Sequence, residues 1–333
     1  MGFKLRMVAA ACAALAAACA PAQEGMRAKA GDAGTLIVGN KGEDTVSFID
    51  LASGAELARL QTGHMPHEIA ISPDGKRAAV VAYGGASIDI FDVNAIRLLR
   101  RIDLSPNQGP HGLVWLPDGR LVATTKRSKT LTIVDTRRKD AVSAVPTAQE
   151  GTHMVAVSGD LSRAYTANIP AGTVTVIDLA AGRKLRDIEV GGKPEGIALT
   201  PDGRTLWVGD LEGARVQAYD TKSFERLAEV KTPPVPIRVA ASPDGKWIVT
   251  SNLGNGSLAI IDARTRKLVR EIPVSGSQEA GQVTILFSRD GSRIYAAETG
   301  RDEVAEVDLA SGRVLRRIKA GKNGDGLAIA PPR

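Results

Sequence analysis

The sequence predicts an all-β fold, a seven-bladed β-propeller with four antiparallel strands per blade, and three observations predict it. First, a β-rich run closing on aspartate returns seven times, at Asp50, Asp92, Asp135, Asp178, Asp220, Asp262 and Asp308, with spacings of 42, 43, 43, 42, 42 and 46 residues. A period of about forty with strand-type residues marks propeller blades. Second, a Pro-Asp-Gly type turn precedes most of these runs at a fixed distance of 17 or 18 residues. Third, the two ends of the chain are complementary. The first unit begins at its second strand, Thr35 to Gly39, and the chain finishes on an orphan first strand, Gly326 to Ala330. If that strand completes blade one, the ring closes and no inner edge is left unpaired.

The second unit shows the elements in order. Residues 67–71 (HEIAI) form a short apolar first strand. Ser72-Pro73-Asp74-Gly75 is turn chemistry, because proline presets φ and glycine accepts φ > 0. Residues 78–82 are a second strand, Gly84-Gly85 a turn, residues 87–91 a third strand ending at Asp92, and residues 97–103 a fourth with basic residues interleaved. Turns of the same kind stand at residues 116–119, 200–203, 242–245 and 289–291, and the fourth unit carries a degenerate Ser158-Gly159-Asp160. The third strands are apolar on both faces, which suits sheets sandwiched between neighbouring blades. The strand-end aspartates read as turn residues bonding local backbone, and Trp115, Trp207 and Trp247 as blade core.

Composition agrees. Aromatic residues make up 4%, so the core falls to Val, Ile, Leu and Ala; 35 glycines and 17 prolines fit many tight turns. Residues 1–22 read as a signal peptide, with Lys4 and Arg6 ahead of an apolar run from Met7 to Ala18 that is too short to span a bilayer. Two endings stay open. Ala20-Pro21-Ala22 offers a cleavage site, and Leu15 to Cys19 resembles a lipobox whose Leu stands one place further from the cysteine than usual. The second would lipidate Cys19 and tether the protein to a membrane. Residues 23–34 read as a linker and 35–333 as the propeller. Both cysteines, Cys12 and Cys19, lie in the leader, so the body has no disulfide, thiolate metal site or haem attachment motif. Without Lys4 and Arg6 the formal charge drops from +6 to +4. The expectation is an exported or periplasmic monomer.

Residues 192–203 (GKPEGIALTPDG), followed by Trp207-Val208-Gly209-Asp210, resemble the YVTN-type seven-bladed β-propeller repeat family. Further copies of the signature tetrad are Tyr165-Thr166-Ala167-Asn168 and Ile37-Val38-Gly39-Asn40. The resemblance covers the whole body. It implies the fold and export from a bacterial or archaeal cell, and it extends to a superfamily with lactonases and the propeller of nitrous oxide reductase. The repeat itself is structural and names no chemistry.

Length variation points to the working face. From each strand-end aspartate to the next turn aspartate the distance runs 24, 26, 25, 24, 24 and 28 residues. The slack lies in the connections from an outer strand to the next inner strand, which open on one face, here the top. Variable loops on a rigid scaffold are where binding sits. The residue seven places before each turn aspartate opens the innermost strand at the channel mouth. In blade order it is Asp325, His67, His111, His153, Glu195, Ile237 and Val283, with Arg238 and Gln282 beside the two apolar members. Three of the four histidines thus share one register on successive blades. A second polar ring closes the second strands: Asn40, Tyr83, Thr125, Asn168, Asp210, Asn252 and Glu298. Tyr83 and Glu298 depart from the family asparagine and are the ring's candidate ligand contacts.

Two readings of the histidines stay open. They are ordinary repeat residues that bond the next blade, or they converge as a site for a small ligand, a partner's loop or a metal. Three histidines with an open position are a catalytic-zinc arrangement, and imidazole also suits copper. Glu195 and Asp325 would orient the rings or act as a base. The functional expectation is therefore a binding or scaffold protein whose channel mouth takes a ligand or metal, with zinc or copper as candidate ions. The alternative is a lactonase-like or metal-assisted hydrolase using the histidines. A DNA-binding propeller ranks below both. Most basic residues fall on fourth strands, where charge protects an exposed edge, and few aromatics are available to stack on bases.

Overall fold

The computed structural model describes residues 33–332 and the first two residues of the chain. The signal segment, the lipobox and most of the linker lie outside the described residues. Twenty-eight strands, β1 to β28 in chain order, form seven four-stranded antiparallel sheets. The blades run in chain order around a central channel.

Closure follows the predicted route. β28 (Gly324–Ala330) pairs antiparallel with β1 (Thr35–Asn40), with Thr35 opposite Ala330 and Ile37 opposite Ala328. The first blade is thus built from both ends of the propeller. Gly326 makes the next contact possible. A Cβ placed on it would lie 1.9 Å from the carbonyl oxygen of His67 on the neighbouring inner strand, which no side chain tolerates.

Burial follows strand position. The second strand of blade one, TLIVGN, is buried along its whole length, whereas its outer strand Glu56–Gln61 is exposed or half-buried throughout. Aliphatic side chains fill the space between adjacent sheets. Ile88, Ile90 and Leu104 of blade two pack with Leu121, Ala123 and Val134 of blade three. Trp207, fully buried, joins Ile248 and Val239 across blades five and six. Trp247 departs from expectation. It opens its strand only half-buried, and Lys246 lies 4.7 Å over its ring.

The repeated turn is locked by its own side chains. Ser72 Oγ donates to Asp74 at 2.5 Å, Asp74 accepts from the Lys76 amide at 3.1 Å, and Gly75 takes φ +72. In the degenerate fourth unit Leu161 adopts φ +60 in that place, and Ser158 still donates to Asp160 at 2.6 Å. The strand-end aspartates bond local backbone as expected. Asp92, for example, accepts from the amides of Asn94 and Ala95, both at 2.9 Å. The fourth-strand arginines do more than guard an edge. Arg100 pairs with Asp140 on the next blade at 2.6 Å, and Arg316 donates to the Leu51 and Ala52 carbonyls across the closing seam at 2.5 and 3.0 Å.

Candidate functional site

Each inner strand opens at the top of the channel with a proline, threonine, glutamine or glycine and then presents the aligned residue. The relevant strands are β4 (Pro66–Ile71), β8 (Pro110–Trp115), β12 (Thr152–Val157), β16 (Pro194–Leu199), β20 (Pro236–Ala241) and β24 (Gln282–Phe287), with β28 completing the set. Close approach of neighbouring strands is set by glycine one place further on. A Cβ on Gly112 would meet the His153 carbonyl at 2.8 Å, and one on Gly196 would meet the Arg238 Cα at 2.9 Å.

This closeness gathers the histidines. The ring centroids of His67 and His111 are 4.8 Å apart, and those of His111 and His153 are 3.7 Å apart with an interplanar angle of 34°. Tyr83 completes the aromatic floor, 4.8 Å from His67 and 5.4 Å edge-on to His111. Tyr83 reaches them because it lies outside the register assigned from sequence. The second strand of blade two ends at Ala82, which pairs with Ser87 as Asn40 pairs with Thr45. Ala82 is therefore the true counterpart of Asn40, and Tyr83 stands one residue beyond the strand end.

All three imidazoles are held neutral. Burial depresses His67, with Asp325 opposing the shift. Burial and the two neighbouring histidines drive His111 well below its ordinary value. Burial lowers His153 to about 4 despite its hydrogen bond with Glu195. His153 Nε2 lies 3.3 Å from Glu195 Oε1, and His67 Nδ1 donates to the Met65 carbonyl at 3.2 Å. The Nδ1 atoms of His111 and His153 are buried without a hydrogen-bond partner. An unsatisfied buried polar atom costs about 1–3 kcal/mol.

Below the rings lies an ionic network that the sequence alignment assigned only in part. Arg238, one place after the aligned Ile237, enters this network, as Glu68 does one place after His67. A register shift lies between Pro236 and Arg238, as near the start of every inner strand, and Ile237 is half-buried against a core cluster. Arg238 donates to Glu195 at 2.6 Å and to Glu68 at 3.0 Å. Burial alone would lower its pKa, but Glu68 and Glu195 outweigh this and raise it. Burial pushes the Glu68 carboxyl up, Arg238 opposing. In Glu195 the same burial is overcome by His153 and Arg238, which hold it below the usual carboxylate range. Asp325 is likewise lowered to about 2, because Lys41, Arg238 and His67 outweigh its burial. It accepts from Lys41 Nζ at 2.6 Å and from Thr284 Oγ1 at 3.0 Å. Glu68, Lys41 and Thr284 escaped sequence reasoning. Glu68 and Thr284 stand one place after His67 and Val283, so a search of the next register would have exposed them.

The structure thus brings together His67, His111, His153, Tyr83, Glu195, Arg238 and Asp325. Gln282 and Glu298 stand apart. Gln282 is fully buried and donates to Ser251 Oγ at 3.1 Å and to the Ser257 carbonyl at 2.8 Å. Glu298 is fully buried and accepts from Arg317 Nε at 2.6 Å. The asparagines of the second ring cap strand ends: Asn40 donates to Thr45 and Ser47 at 2.9 and 2.8 Å. As for metal, the His111 and His153 rings pack on one another, tilted by 34° with centroids 3.7 Å apart. Among the described residues no group of three or more His, Cys, Asp or Glu side chains has metal-holding geometry. Zinc or copper would require the stack to open.

A family model described as a YNCE-like beta-propeller matches residues 3–330. Antigen Lp49 of Leptospira interrogans serogroup Icterohaemorrhagiae serovar copenhageni (strain Fiocruz L1-130) is 22% identical over 303 residues. That match covers 83% of this chain, and the chain spans only 65% of the length of Lp49. Three solved structures share the fold. Hydrazine synthase of Kuenenia stuttgartiensis has a TM-score of 0.74 at 20% identity, covering 84% of this chain and 94% of that one. A protein of unknown function from Desulfotomaculum acetoxidans DSM 771 reaches 0.77 at 17% identity, over 90% and 100% of the two chains. The dihydro-heme d1 dehydrogenase NirN, in complex with DHE, reaches 0.67 at 16% identity, over 92% and 77%.

Proposed function

This chain belongs to the YNCE-like beta-propeller family, and from that premise we propose that it is an exported binding protein with a small-ligand site at the top mouth of its channel. One observation carries the reading. Three neutral imidazoles are buried side by side at the mouth, and two of them keep a ring nitrogen without a partner. A fold that merely packed histidines would satisfy those nitrogens locally. A ligand seated on the rings supplies what is missing. The floor is suited to a flat molecule, since Tyr83 and the imidazoles offer ring faces, and aromatic contacts add about 0.5–1.5 kcal/mol beyond buried area.

A hydrolase is the second reading, favoured by the Glu195–His153 pair. Against it stands the basicity of His153. A general base works best with a pKa near the operating pH, and His153 sits at about 4. Binding is therefore the preferred function, and export follows the leader read in residues 1–22.

The chain's four histidines make the test direct. Long-range nitrogen-15 spectra of the imidazoles would be followed as defined acids, amines, sugars, nucleotides and lactones are added. A ligand is expected to shift His67, His111 and His153 and leave the exposed His64 unmoved, and H111A should abolish binding. Compounds that bind tightly without moving the three buried rings would reject this location. Lactone turnover lost in H153A would transfer the case to the hydrolase.

A further inference from the structure

The charge balance of the mouth is asymmetric in a way that selects the ligand. Every carboxylate in the cluster already has cationic partners. Glu195 and Glu68 share Arg238, and Asp325 takes Lys41. The unmatched charge belongs to Lys126 and its exposed neighbour Arg127, in the one-turn 3-10 segment between the second and third strands of blade three. The Lys126 ammonium lies 5.9 Å from the centroid of the Tyr83 ring and makes no ion pair or side-chain hydrogen bond among the described residues. It faces the imidazoles closely enough to add, after burial and nearer groups, to the depression of both His111 and His153. Beside it Arg127 lies 5.3 Å from the Tyr83 centroid and is fixed by the Tyr83 carbonyl at 2.9 Å. A half-buried lysine with no counter-charge lies over Tyr83, whose ring stands 5.4 Å from that of His111, and His111 at 3% and His153 at 6% exposure keep Nδ1 atoms that lack partners.

We infer that the mouth is an oxyanion subsite, and that the ligand is a small planar carboxylate or similar oxyanion. Its head group sits on Lys126 and its flat body lies on Tyr83 and the imidazole stack. This deepens the binding function proposed above and rests on it. An anion gains from Lys126 without displacing any existing pair, because charge-assisted hydrogen bonds are the strong ones. A cation would meet only carboxylates already occupied. His153 donates its Nε2–H to the ionised Glu195 and so keeps Nδ1 as an acceptor, whereas His111 has no carboxylate partner to fix its tautomer and is free to turn Nδ1–H toward the head group.

The test is titration of the propeller with benzoate, acetate and inorganic phosphate at constant ionic strength, read on the imidazole spectra and by calorimetry. Benzamide serves as the neutral isostere of benzoate. Benzoate is expected to bind at least about tenfold tighter than benzamide, the discrimination typical of a charge-assisted contact. K126M should remove that advantage and leave benzamide affinity unchanged, and K126R should keep it. K129M is the control for general positive charge, because Lys129 is paired with Glu150. Equal affinity for benzoate and benzamide overturns the inference, as does K126M binding benzoate at the native strength. If an amine proves to be the ligand that moves the three rings, the oxyanion falls and the binding site stands. If nothing moves the rings, both fall.

Discussion

Replacing Arg238 with methionine tests whether the buried ionic network is a keystone of the channel. The guanidinium is bonded to Glu195 at 2.6 Å and Glu68 at 3.0 Å, and all three side chains are buried. R238M removes the only cation among the described residues in contact with both carboxylates. Breaking a buried ion pair from one side costs about 3–5 kcal/mol, because the orphaned charge stays out of water. With an unfolding entropy of about 2.1 cal/mol/K per residue over roughly 300 residues, that corresponds to a fall in Tm of about 5–8 °C. Differential scanning calorimetry at pH 7 reads it directly. The variant R238M/E68Q/E195Q removes the two negative charges as well and should regain most of the loss. The deficit of the single variant should also shrink at pH 5, since uncompensated buried carboxylates take up protons readily. An R238M melting point within about 1 °C of wild type would refute the reasoning. So would a triple variant that melts no higher than the single one.

Other outcomes follow from the same geometry. Acid should unfold the propeller between about pH 4 and 2, as the turn carboxylates protonate. Asp74, Asp202, Asp244 and Asp290 are lowered chiefly by a hydroxyl bond from Ser72, Thr200, Ser242 and Ser288, and Asp160 by Ser158 to about 2. Their folded values lie below the unfolded ones, so this stabilisation is complete above about pH 4 and is lost as pH falls through the folded values. Circular dichroism across that range checks it, and D160N should move the midpoint upward. G326A should destabilise by about 3 kcal/mol or more, because the methyl meets the His67 backbone carbonyl and the two inner strands must move apart, and should shift the His67 ring signals as well as the Tm. Zinc or copper should bind more weakly than at a preformed three-histidine site, because the 3.7 Å ring stack must part first. Metal analysis giving one tightly held equivalent, lost in H111A, would contradict this.

The repeat was legible because each of its signals is local. Turn residues, apolar third strands and the strand-end aspartates lie within a few residues of one another, so their spacing alone orders the blades. The complementary ends, Thr35–Asn40 and Gly324–Ala330, were legible for the same reason. The histidine register also survived, because every inner strand carries the same register shift near its opening residues, so counting back from the turn stays in step from blade to blade. What it missed is Glu68 at the next position, where it meets Arg238, because a period-two reading turns that side chain to the opposite face. Tyr83 was aligned with the asparagine ring because it is polar and nearly in place, yet pairing puts Ala82 there. Lys41 was invisible as a site residue since it comes from a loop, and Lys126 was legible only as part of a basic cluster with Arg127 and Lys129 on a top loop, a pattern that bears on nucleic acid. Only the folded ring brings Lys41 to an aspartate 284 positions away.

Asp325 lies on β28, the strand that closes the ring, and it touches Lys41 of its own blade and side chains from two other blades, Thr284 and His67. Until β28 has been synthesised and paired with β1, blade one has no innermost strand and the lysine at position 41 has no counter-charge. The rim of the channel is thus completed by joining two segments nearly three hundred positions apart, and a polypeptide lacking β28 lacks Asp325 there whatever the state of its other blades.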